Sequence, residues 1–175
     1  MKQTRVLLRV ITIGLVIVVI FLVNRQHRLL TPTAEQLQDA FPGKTRQTLE
    51  QSSQFTLLSL EPRPEAMTKE QRVASFHGYK VLGQIQITDL NQKQELLRAL
   101  YDGIARSQVL EACFSPRHGI HAVTGNKSVD LLICFHCQQF EIYWGKSDKL
   151  SGVTNAPQAT FDRLLSDAGI PLAEK

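Results

Sequence analysis

The hydrophobic pattern divides the chain into an apolar N-terminal segment and a longer region with helix and strand periodicity. Residues 6–23 are apolar apart from Arg9 and one threonine and one glycine, and basic residues flank them on both sides. A run of about eighteen such residues is near the lower length that spans a bilayer core. Because no small-x-small cleavage site follows Val23, the pattern predicts a cytoplasmic tail and an uncleaved transmembrane anchor within residues 1–28.

The stretch that follows the anchor, residues 29–50, is predicted as a juxtamembrane helix and linker. Thr33 and Gln36 have the spacing of a capping box, and Phe41 followed by proline and glycine ends the helix near Ala40. The remaining residues, 51–175, are numerous enough to form one globular domain with a core of its own.

Within residues 51–175 the pattern predicts two strands, a helix, two or three further strands and a final helix. Residues 55–60 and 81–87 are predicted strands, and 90–106 is a helix capped by Asp89. A turn with Gly125 and Asn126 joins the strands 120–123 and 128–135, of which 131–135 is so apolar that it is predicted to be central. Strand 140–144 follows, and the last helix is predicted to begin at an Asn155 cap.

This order predicts an α+β fold, in which an N-terminal transmembrane helix precedes one domain. Strands that follow one another directly favour a mainly antiparallel sheet with helices packed on it.

The net charge of +4 belongs to the anchor region and not to the predicted domain. Residues 1–28 hold five of the twenty Lys and Arg and no acidic residue, which leaves fifteen basic against sixteen acidic residues elsewhere. Composition therefore gives no support for nucleic-acid binding. The slight excess of basic residues before the anchor predicts that the tail is cytoplasmic and that the domain faces outward.

The residues with the clearest potential chemistry are three cysteines and their neighbours, for which four interpretations compete. Cys113 could form a disulfide with Cys134 or Cys137, or all three thiols could be buried and inert. The three thiolates with either His118 or His136 could instead hold zinc, although no cofactor is expected by default. A fourth interpretation is catalysis, either by a hydrolase that uses Cys113 and His118 or by thiol–disulfide exchange at the Cys-x-x-Cys pair of Cys134 and Cys137.

The segment before the predicted hairpin also contains candidate binding residues, Arg117 and His118. Ser115 to His118 is predicted as a tight turn, from which Arg117 pairs with Asp130 or Glu141, or holds an anion. His77 is predicted as a solvated loop residue, and Tyr143 and Trp144 are predicted to cover an edge of the core.

Two segments, 113–120 (CFSPRHGI) and 129–137 (VDLLICFHC), carry a resemblance to a family of uncharacterised bacterial envelope proteins. Residues 55–62, 76–83 and 160–172 extend it, so that it covers about residues 50–175. The resemblance implies a bacterial inner or cell membrane as the location and implies no activity.

Together these patterns predict a single-pass, membrane-anchored extracytoplasmic domain that contacts the membrane through residues 6–23. Because no catalytic set is complete, a non-enzymatic binding or structural module with an unidentified protein partner is the first hypothesis. The alternative is a metal- or thiol-dependent site built on Cys113, Cys134, Cys137 and His118.

Overall fold

A computed structural model describes residues 37–63, 68, 75–107 and 113–174, which all fall within the unit Thr33–Lys175. The predicted anchor in residues 1–28, with its membrane contact at 6–23, lies outside the described residues, as does the capping box at Thr33. Among the helices that the structure describes, none has both the length and the apolar character needed to cross a bilayer.

The described chain contains three α-helices and six β-strands. In chain order they are α1 Thr45–Glu50, β1 Gln54–Leu60, β2 Val81–Gln86, α2 Leu90–Ala105, β3 His118–Thr124, β4 Lys127–Cys134, β5 Gln139–Trp144, β6 Ser147–Gly152 and α3 Gln158–Asp167. All strand pairs are antiparallel, and the order across the sheet is β2-β1-β3-β4-β5-β6. The predicted α+β class with a mainly antiparallel sheet is confirmed.

The main core lies on one face of the sheet, which we call the helix face. Successive strands place apolar residues side by side, because Leu57 pairs with Ile120 and Ile120 pairs with Leu131. The apolar stripes of the helices cover this row, and residues from both sides join one buried cluster, which includes Leu96, Leu100, Phe161, Leu164 and Leu165. Because side chains alternate along each strand, the remaining strand residues point to the opposite face, here called the open face. Among the described residues, the apolar cluster on the open face contains no residue of α2 or α3.

The apolar run of β4 is explained by its position between β3 and β5. Leu131 belongs to the buried cluster of the helix face, whereas Leu132 belongs to a smaller cluster with Leu58 and Leu60 on the open face. Both leucines are fully buried, so the predicted central position of this strand is confirmed.

Two elements, α1 and β6, were not predicted. β6 is a polar edge strand whose only large apolar residue, Leu150, is 46% exposed, so no alternating pattern marks it. α1 has one turn and a half, and its Leu49 is buried with Leu37 and Phe41 in the main cluster. Residues 37–50, predicted as helix and linker, are therefore part of the folded domain.

The predicted ends of the elements are confirmed in two places and wrong in a third. Asp89 caps α2, since its Oδ1 accepts a hydrogen bond of 2.7 Å from the Asn91 amide. Gly125, with φ of 59°, turns the chain between β3 and β4 as predicted. Asn155 does not cap α3, because the helix begins at Gln158 with a proline in the N-cap position.

Candidate functional site

The sulfur chemistry of the chain is concentrated in one buried disulfide, between Cys134 and Cys137. On a straight strand, side chains three residues apart point to opposite faces. Here β4 ends at Cys134 and residues 135–138 form a turn, in which the Gln138 amide donates a hydrogen bond of 3.2 Å to the Phe135 carbonyl, and the two Cα atoms lie 5.2 Å apart. That separation suits a disulfide. The predicted bridge to Cys113 is therefore replaced by a bridge within the turn.

Cys113 is a free, exposed cysteine, although its segment runs beside the disulfide. The Ser115 amide donates a hydrogen bond of 3.4 Å to the Cys137 sulfur. The predicted nearness of the two segments is thus found without the predicted bond between them. Residues 115–117 enter β3 in extended form, and the tight turn predicted there is absent from this described stretch.

His118 lies on the helix face and is 3% exposed. Its Nε2 is 2.8 Å from Oδ1 of Asp162 on α3, and its ring lies between Phe135 and Phe161. Its Nδ1 has no hydrogen-bond partner within the described residues, nor does Oγ of its cross-strand neighbour Ser59. Burial of this depth makes His118 a core residue that joins β3 to α3.

Arg117 directly precedes β3 and is half-buried. Its backbone is held on both sides, since its carbonyl accepts from the Leu60 amide and its amide donates to the Ile133 carbonyl. The two predicted binding residues thus differ in setting, since His118 is buried in the core and Arg117 is half-buried just before β3. The four predicted zinc ligands are likewise not brought together, and in the part of the chain that the structure describes no group of His, Cys, Asp and Glu is arranged to hold a metal ion. Zinc binding itself stays a prediction.

The open face carries a polar cluster of His77, His121, Asp130 and Tyr143. The Asp130 carboxylate is shared by two imidazoles, with Oδ1 at 2.6 Å from Nδ1 of His121 and Oδ2 at 2.7 Å from Nε2 of His77. The side chains of these three residues are 25% (His77), 20% (Asp130) and 39% (His121) exposed. The sequence predicts that Arg117 pairs with Asp130 or Glu141, but in the structure His77 and His121 contact the Asp130 carboxylate and Tyr143 is hydrogen-bonded to Glu141.

His77 reaches the cluster from a tight hairpin that lies on the open face. Phe76 and Tyr79 exchange backbone hydrogen bonds of 2.9 and 3.0 Å around His77 and Gly78, whose φ angles are 49° and 87°. Histidine tolerates this left-handed backbone better than most residues do. The His77 ring stacks on Tyr143 at 3.9 Å, so the predicted solvated loop residue is a contact residue.

The hairpin is seated because Gly119 leaves room for a ring. A Cβ at Gly119 would lie 2.9 Å from the Phe76 ring, a distance that a side chain does not tolerate. Phe76 and Tyr79 pack against the small cluster of Leu58, Leu60 and Leu132. The open face is thus covered in part by residues 75–80.

Electrostatics shifts the pKa values of two members of this cluster, Asp130 and Tyr143. Burial alone would raise the pKa of Asp130, but hydrogen bonds from His77 and His121 outweigh it and hold the pKa below its usual value. Burial raises the pKa of Tyr143, and a hydrogen bond to Glu141 raises it further, so the phenol stays protonated and donates to the carboxylate. At neutral pH the open face therefore presents an ionised carboxylate, two imidazoles and a phenol.

Part of this cluster was accessible to sequence reasoning. A two-residue turn at 125–126 pairs Thr124 with Lys127, and that register places His121 opposite Asp130. His77 could not be placed in this way, because more than forty residues separate it from β3 and the strand that follows it, β2, is not adjacent to β3 in the sheet.

Comparisons of the chain with protein-family models, with curated proteins and with solved structures found no match.

Proposed function

We propose that this chain is a single-pass membrane protein whose domain faces away from the cytoplasm and acts as a non-enzymatic binding module. The buried disulfide between Cys134 and Cys137 carries the location, because disulfides persist in oxidising compartments and are rare in the cytosol. The charge bias around residues 6–23 and the resemblance to bacterial envelope proteins support the same location.

The histidine, cysteine, aspartate and tyrosine side chains that could act in catalysis are mostly buried or already hydrogen-bonded, which supports a binding role over a catalytic one. His118 is in the core, and the disulfide sulfurs belong to residues that are 1% and 0% exposed. Asp130 already accepts hydrogen bonds from two histidines, and Tyr143 from the same cluster donates to Glu141. The His77–Asp130 contact holds the hairpin on the sheet, and the contact of His118 with Asp162 holds α3 there.

A pair of fusions tests the location. Alkaline phosphatase fused after Lys175 is active only outside the cytoplasm, and a green fluorescent protein fused at the same position serves as the matched reporter for the cytoplasm. We expect phosphatase activity and a dark fluorescent fusion. The opposite pair of results would place the domain in the cytoplasm and overturn the proposal.

Thiol accessibility tests the disulfide in the same cells. A membrane-impermeant maleimide applied to spheroplasts should label the full chain once, at Cys113, and the Cys113→Ser variant should remain unlabelled. Labelling of Cys134 and Cys137 without prior reduction would contradict the bridge on which the location depends.

A further inference from the structure

We propose that a groove at one end of the sheet binds a small organic anion, in which a carboxylate or phosphate group is attached to a ring with an apolar face. The groove has a volume of about 370 Å³ and lies between the loop before α1 and the sheet end formed by the β3–β4 and β5–β6 turns. Ligand sites begin at about 300 Å³, so this groove has room for one ring and its substituents. Such an anion would be the ligand of the proposed binding module. Only this biological role rests on the proposed function, since the binding itself is argued from the groove.

The charge of the groove selects an anion. Two lysines line it, Lys44 from the loop and Lys127 from the start of β4, and no Asp or Glu is among its described lining residues. Both lysines are exposed, and neither forms an ion pair with a carboxylate in the described chain. Ammonium groups without a protein counterion are available to a carboxylate or phosphate.

The apolar part of the groove selects a ring. Trp144, the only tryptophan of the chain, packs against the main core and also lines the groove, together with the buried Val129. Asn126 and Ser128 add an amide and a hydroxyl that can donate to or accept from ring substituents. An aromatic wall beside two cations and neutral polar groups matches a flat anionic ligand better than it matches a bare ion.

The groove is built in advance of binding. Thr45 and Thr48 donate side-chain hydrogen bonds to the Pro42 and Lys44 carbonyls, at 2.8 and 3.2 Å, which fixes the loop. Thr124 on β3 donates one of 3.0 Å to the Thr48 carbonyl, which fixes α1 to the sheet. A preformed site loses less conformational entropy on binding, so a small ligand can be held by few contacts.

Binding is tested with the purified full chain in a mild detergent, by calorimetry and by Trp144 fluorescence. The probes are glucuronate and glucose 6-phosphate, which carry the two anionic groups on the same ring, with benzoate as an aromatic carboxylate. Neutral glucose and inorganic phosphate each provide one half of the proposed chemistry. We expect saturable binding of at least one anionic ring below about 10 mM, with a change in Trp144 emission, and binding weaker by about tenfold or more for glucose and phosphate.

Two double variants separate the groove from the overall charge. Lys44→Gln with Lys127→Gln removes the two groove cations and should weaken binding of the anionic ring by about tenfold or more. Lys80→Gln with Arg98→Gln removes the same charge at exposed positions outside the groove and should change affinity by about twofold or less. Equal circular dichroism and thermal unfolding of the two double variants show that both are folded.

Two results would overturn the proposal: absence of saturable binding for every anionic ring, or equal loss in both double variants. Since this binding is measured on purified protein, a cytoplasmic location in the fusion experiment would leave it intact. Failure of the groove and failure of the proposed location are therefore distinguishable.

Discussion

The two faces of the sheet share the same strands but are covered in different ways. On the helix face, apolar rows of the strands pack against apolar stripes of α2 and α3, and Phe161 is fully buried. On the open face, a short hairpin covers a small apolar cluster, and hydrogen bonds from His77 and His121 to Asp130 supplement the packing. One sheet thus gains stability from hydrophobic burial on one face and from directional polar contacts on the other.

The largest expected effect is the truncation of a phenylalanine on the helix face. Phe161→Ala should lower the free energy of unfolding by about 3–5 kcal/mol, since it leaves a cavity among residues that cannot close it. Phe76→Ala on the open face, where the ring is only half-buried, should cost about 1–2 kcal/mol. Urea unfolding of the full chain measures both, and equal losses would contradict the contrast between the faces.

A smaller effect is expected from the polar cluster. Asp130→Asn keeps the shape of the side chain but removes the charge that two imidazoles share, and should cost about 1–2 kcal/mol. Asp148→Asn makes the same chemical change at an exposed position on β6 and should stay within about 0.5 kcal/mol. If the two variants have the same stability, the cluster does not hold the hairpin.

The contribution of Asp130 should also depend on pH in a defined direction. Its pKa is lowered in the folded protein, so the stability it provides is present above the unfolded carboxyl pKa of about 3.9 and is lost as pH falls through the lower folded pKa. The difference in urea midpoint between the natural chain and Asp130→Asn should therefore have its full value near pH 5 and decrease below about pH 4. A gap that widens on acidification has the wrong sign for this mechanism.

The smallest expected effect is that of a substitution at Leu150, an exposed residue at the edge of the open face. Leu150 on β6 pairs with Glu141 and is 46% exposed, so Leu150→Thr should change the free energy of unfolding by about 0.5 kcal/mol or less. Thermal unfolding of the full chain provides the measurement. A loss above about 1 kcal/mol would mean that Leu150 is covered in solution and that the two faces are more alike than described.

Elements with a strong periodic pattern of apolar residues could be predicted from the sequence. Alternating or continuous apolar residues identified β1, β2 and the central β4, and helical spacing identified α2 and α3, because such patterns record which face of each element is buried. The polar strand β6 and the short helix α1 show no such periodic pattern of apolar residues. They form because the Gly145 turn folds β6 back onto β5 and because Leu49 completes the core.

The candidate sites also contain one contact that local sequence predicts and others that depend on the packing of distant elements. Local signals predicted the Gly125 turn, and through its register the sequence already contains the pairing of His121 with Asp130. Only the packing of separate elements brings His77 to this pair, buries His118 against α3, and places Lys44 and Lys127 beside Trp144 in one groove. The period of apolar residues identifies which face of one helix or strand is buried. These contacts depend instead on how separate elements are placed, which no single stretch of sequence encodes.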